Sequence, residues 1–72
     1  MNTITKKEVL NILNICKNEG QQILNKEVTS KVRKEVYMHK GTEYIFIYYE
    51  GQLKKIEAYN SYIGVYIEKE VK

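Results

Sequence analysis

The chain has 72 residues, 12 of them Lys or Arg against 9 acidic ones, for a formal net charge of +3. A domain of this size buries only about 60% of the surface its unfolded chain exposes, so one small core is the ceiling. With one Cys, one His and no run of about 18 apolar residues, the composition excludes an internal disulfide, a structural zinc site and a membrane-spanning helix.

Lys, Ile, Asn, Tyr, Phe and Met, the residue types with AT-rich codons, make up 36 of the 72 positions, while Gly, Ala, Arg and Pro supply 6. Part of the lysine and tyrosine content is therefore coding bias, and net charge alone says little about a partner. The opening MNTITKKEV lacks the apolar stretch and small-residue cleavage site of a leader peptide, so a cytoplasmic location is expected.

The first element is a helix over about 5–19. Thr5-Lys6-Lys7-Glu8 fits a capping box, in which the threonine hydroxyl accepts from a backbone N–H and the glutamate reaches back to the cap. Val9, Ile12, Leu13 and Cys16 follow at helical spacing, flanked by Leu10 and Ile15, while Asn11, Asn14, Lys17 and Asn18 fill the opposite side. The apolar arc spans roughly 220°, wider than a single buried stripe, so the helix is expected to be covered on more than one side. Gly20 stands where a left-handed C′ glycine would end it.

From about residue 26 the period changes to two, with Val28, Val32, Val36 and Met38 on one parity. Spacing of four also suits a helix, so residues 21–38 admit both readings. A winged helix, with 21–27 and 29–38 helical and 44–59 as the wing, is the competing architecture. The β-branched content and the neighbouring runs favour strands. Strands are expected over about 28–39, 42–49, 52–59 and 62–68, joined by turns at Lys40-Gly41, Glu50-Gly51 and Asn60-Ser61. The expected fold class is α+β, a single domain over 1–72 with one N-terminal helix packed on a four-stranded antiparallel β-meander.

With tight turns throughout, Val36 pairs with Ile45, Ile45 with Ile56 and Ile56 with Val65, an aliphatic layer across four strands. Met38, Ile47, Ala58, Ile63 and Ile67 join it, so this face is expected to be the core beneath the helix. Lys54 is the misfit, since the same register sets it between Ile47 and Ile67 and it must snorkel at a margin. Gly64 suggests a bulge or a close backbone approach.

The other face then carries Arg33, Tyr37, Tyr44, Phe46, Tyr48, Leu53, Lys55, Tyr59, Tyr62 and Tyr66, including seven of the eight aromatics. An exposed aromatic sheet face of this kind points to an interaction surface, with Phe46 as its clearest witness because it has no hydroxyl. These ten residues are the expected partner-binding site, for a protein partner or a second copy of the chain. Cross-strand tyrosine pairs also stabilise a sheet, so the same face has a purely structural reading. The alternative ligand is nucleic acid, either a single strand stacked on this face or duplex DNA under the winged-helix architecture. Arg33 and Lys55 are set against Glu35 and Glu57, a balance that suits a protein better than phosphate.

No catalytic residue, metal ligand, cofactor or small-molecule substrate is expected. Cys16 lies in the apolar stripe of the helix as a buried thiol, and His39 sits at a hairpin end with no Asp in the chain to orient it. Small size, AT-rich coding and one candidate interface resemble, in general character, the accessory proteins of phages and mobile elements. Many of those, anti-CRISPR and other anti-defence proteins among them, inhibit or regulate by occupying a host protein's surface.

Overall fold

The computed structural model describes residues 2–72. In chain order it contains β1 (Thr3–Ile4), α1 (Lys6–Glu19), β2 (Gln21–Glu27), β3 (Val32–His39), β4 (Thr42–Tyr49), β5 (Gln52–Asn60) and β6 (Val65–Val71). The strands form one six-stranded sheet in the order β1-β6-β5-β4-β3-β2. β1 runs parallel to β6 and all other neighbours are antiparallel. The fold is α+β as expected, with the N-terminal helix and the hairpin run in place, but the sheet is mixed and two strands wider. Among the described residues, no helix is long and apolar enough to cross a membrane.

Thr5 caps α1, its Oγ1 accepting from the Glu8 N–H at 3.2 Å and its hydroxyl donating to Glu8 Oε1 at 2.8 Å. The glutamate thus closes the box on the hydroxyl rather than on the cap's backbone. Gly20 ends the helix at φ −93°, an ordinary extended conformation, so the left-handed cap is not what selects glycine. Space selects it: a Cβ there would sit 2.8 Å from both the Cys16 and the Met38 carbonyl oxygens.

The turns at Lys40-Gly41 and Glu50-Gly51 form as read, with all four residues at positive φ as tight hairpins require. The third does not. β5 continues to Asn60, whose Oδ1 accepts from the Tyr62 N–H at 3.0 Å, and residues 61–64 form a loop that Gly64 closes at φ +66°. The strand expected over 28–39 begins only at Val32, and a further strand, β2, precedes it. Thr29 turns the chain between them, accepting at Oγ1 from the Lys31 and Val32 N–H groups while the Val28 and Thr29 N–H groups donate to the Val32 carbonyl. β2 is an exposed edge strand whose sequence QQILNKE lacks alternation, which left residues 21–27 undecided from sequence.

Register decides the core. β3 and β4 pair as expected, Val36 opposite Ile45 and Glu35 opposite Phe46. Between β4 and β5, Tyr48 meets Leu53 and Ile47 meets Lys55, leaving Lys54 as the extra residue of a bulge. That residue reverses the parity of the rest of β5, so Phe46 faces Ile56 and Ile45 faces Glu57. β5 and β6 pair four residues further along than expected, Asn60 with Val65 and Ile56 with Lys69, an even shift that preserves the faces.

The helix therefore packs on a face that joins the β3–β4 aromatics to the β5–β6 aliphatics. Ile4, Val9, Leu13, Cys16, Tyr37, Phe46 and Ile56 form the core, with Tyr37 and Phe46 edge to face at 5.8 Å between ring centres. This corrects the expected aliphatic layer: Val36, Met38, Ile45 and Ile47 lie on the opposite, helix-free face, and Lys54 is exposed in the bulge.

Candidate functional site

The ten residues expected to form one exposed surface do not come together as one. Phe46 is 0% and Tyr37 4% exposed beneath the helix, and Tyr44, Tyr48 and Leu53 pack half-buried against the core. Lys55, Tyr59 and Tyr66 lie on the opposite face, and Tyr62 stands in the loop at 85% exposure. The single-residue bulge is the physical reason, since without it β5 would present the other set of side chains.

Arg33 belongs to a polar corner of the helix-bearing face. Its guanidinium lies 4.3 Å over the Tyr48 ring, pairs with Glu35 at 3.2 Å and donates to Asn25 Oδ1 at 3.4 Å. The Tyr48 hydroxyl donates to the other Glu35 oxygen at 2.7 Å. Desolvation, then this carboxylate, push the phenol far above its ordinary range. The buried Glu35 is thus fully engaged, and the corner is a structural tie between β2, β3 and β4. Lys55 is similarly held, 3.2 Å from Glu68 and 3.7 Å from Glu57.

No reactive constellation accompanies these ties. Cys16 is buried and burial pushes its thiol up, away from the reactive thiolate. His39 is not a solvated hairpin end: its side chain is 14% exposed, with Nε2 3.7 Å from Glu19 Oε1 at the end of the helix. Among the described residues, no group of three or more His, Cys, Asp or Glu could hold a metal ion.

An apolar concave feature follows from the path of α1. The helix starts beside the end of β6, where Ile4 pairs with Val71, and finishes against the Met38 carbonyl of β3 at Gly20. It thus crosses the sheet diagonally and leaves the β5–β6 corner of the same face uncovered. There a hollow of about 310 Å³ is lined by Ile4, Ile12, Tyr44, Ile56, Ala58, Ile63, Val65 and Ile67, with Thr42, Asn60 and Lys69 as its polar residues. Ala58 is flanked in register by Tyr44 and Ile67, so its small side chain supplies depth between larger walls. Ile63 is 70% and Ile67 45% exposed at the rim, continuous with Tyr62, whose ring lies against Gly41.

Sequence reading placed Ile56, Ala58, Ile63, Val65 and Ile67 on the helix-bearing face but assumed that the helix covers them all. Two signals pointed to the hollow: the only alanine of the chain set in an aliphatic row, and a helix whose apolar arc exceeds what one sheet contact needs. No protein-family model, curated protein or solved structure matches this chain.

Proposed function

We propose that this protein is a non-enzymatic binding module that takes an apolar segment of a protein partner into the hollow beside α1 and acts by steric occupation of that partner. The observation that carries the reading is the continuity of the hollow with exposed Ile63, Val65 and Ile67 at its rim. Soluble chains seldom leave a contiguous apolar area open without a ligand for it. Arg33 and Lys55, the two cations of the face first read as the interface, are tied to Glu35, Glu57 and Glu68 and are not free to neutralise phosphates. Occupation without chemistry is also the mode of the phage and mobile-element accessory proteins that the composition resembles.

The test is a capture experiment with extract from the source cells, comparing the native chain with an Ile63→Glu/Ile67→Glu variant. Both side chains are exposed, so the variant is expected to keep its far-UV circular dichroism while losing the captured protein. Equal capture by the variant, or capture abolished by nuclease, overturns the reading.

A further inference from the structure

We infer that the occupant of the hollow is an amphipathic α-helix of a partner protein, with an acidic side chain over β6 and a basic flank towards α1. This rests on the hollow being the interface, as proposed above. The uncovered corner spans β4 to β6, two strand spacings or roughly 10 Å, which matches the roughly 10–12 Å diameter of a helix with its side chains. From Val65 to Lys69 it runs roughly 13 Å along the strand. A second helix laid there completes the layer that α1 begins, and packs beside α1 at the usual interaxial distance of about 8–10 Å.

Hydrogen bonding disfavours an extended peptide laid in the hollow itself. The hollow lies on the face of β4 to β6, beside the outer edge of β6 that β1 covers only at Glu70 and Val71, and its polar lining is Thr42, Asn60 and Lys69. Asn60 already donates to Thr42 Oγ1 at 3.2 Å and accepts from the Tyr62 N–H. An extended chain on that face would bury backbone groups without partners, whereas a helix brings its own bonds satisfied. A second copy cannot supply this helix from the outward side of its own α1, which carries Lys7, Asn11, Asn14 and Asn18, a polar row with no apolar stripe to offer.

Charge sets the flanks. Lys69, half-buried on β6, makes no ion pair among the described residues and calls for a carboxylate opposite it. On the helix side, Ile12 lines the hollow, and Glu8 and Ile15 share its flank at helical spacing. A partner helix therefore meets apolar side chains at its centre, a cation on one side and a carboxylate on the other.

The probe is a synthetic peptide of about 14 residues, roughly 21 Å long as a helix, with a leucine stripe, glutamates on one flank and lysines on the other. The control is the same composition with the stripe scrambled. Titration into the ¹⁵N-labelled chain is expected to shift the amides of Ile12, Ala58, Val65 and Ile67 and to leave those of Val36 and Ile45 unmoved. Ala58→Phe fills the hollow and should weaken binding at least about tenfold. Lys69→Glu should also weaken it, while Lys54→Glu, the same charge change at the exposed bulge, should not; dichroism confirms the fold of each variant. Equal binding of the scrambled peptide, shifts on the helix-free face, or no effect of Ala58→Phe overturns the proposal. Capture that depends on Ile63 and Ile67 without any binding of the helical peptide overturns the helix but leaves the hollow as interface. Loss of both overturns the reading beneath it.

Discussion

Deleting one residue from the middle of a strand normally turns half of its side chains to the wrong face, yet deletion of Lys54 is expected to be tolerated. Lys54 is the unpaired residue of the bulge, with Tyr48 opposite Leu53 on one side of it and Ile47 opposite Lys55 on the other. Without it, Leu53 and Lys55 become neighbours facing Tyr48 and Ile47, a regular ladder in which Ile56 still faces Phe46. No buried side chain changes face, so the expected cost is the local loss of twist, on the order of 1 kcal/mol. Glu57 lies in the regular stretch opposite Ile45, and its deletion has no such escape. Either Ile56, buried at 5%, turns out of the core or the residues beyond it reverse. Losing a buried Ile costs about 2–3 kcal/mol, and moving charged neighbours inward adds several more. The whole domain has roughly 4–11 kcal/mol to lose. Urea unfolding followed by circular dichroism should show the Lys54 deletion folded and the Glu57 deletion unfolded. A straight β4–β5 register, with the aliphatic face as core, predicts that the Lys54 deletion unfolds, and that result would refute the bulge as the determinant of the fold.

Phe46→Ala, at a fully buried ring packed edge-on against Tyr37, should cost about 3–5 kcal/mol. Ile45→Ala, one residue away on the helix-free face and half-buried, should cost less than half of that in the same urea assay. Gly20→Ala should lower the thermal midpoint despite its ordinary φ, because the new methyl meets two backbone oxygens at 2.8 Å; an unchanged midpoint contradicts the close approach. Alkali should weaken the fold. Burial raises the Cys16 thiol and the Tyr37 and Tyr48 phenols above their ordinary values of 9.0 and 10.0, so the unfolded chain releases these protons first. Their stability is fully present below those values and is lost as pH rises through the higher folded ones. The urea midpoint should therefore hold near neutral pH and fall above about pH 9, with Cys16 slow to react with a disulfide reagent until it does.

Local chemistry made much of this fold legible in the sequence. The helix over 6–19, its Thr5 cap and the turns at 40–41 and 50–51 depend on residues close together in the chain. The β3–β4 register followed from one such turn. The β1 strand was not legible, because two residues gain their meaning only by lying beside β6 at the far end of the chain. β2 was ambiguous because an exposed edge strand has no buried face to impose alternation. The site was less legible still. Phe46, Tyr37 and Tyr44 carried the sequence signal of an interface, yet they are core or core margin, whereas Ala58, Val65 and Ile67, read as core, line the open hollow.

The sequence by itself determined α1, the first two hairpin turns and the side chains that alternate together between them, since periodicity and turn chemistry act over a few residues. Only the tertiary structure decided which of the two alternating sets is inside. Side-chain direction in a strand has period two, so the one unpaired residue at Lys54 exchanges the faces of everything after it. Of the seven aromatics that first suggested a binding face, Tyr37, Tyr44, Phe46 and Tyr48 build the core or its margin, while Tyr59, Tyr62 and Tyr66 are exposed. Where the helix lies, and therefore which corner stays open, depends on its docking from β6 to β3, a geometry that no local pattern records.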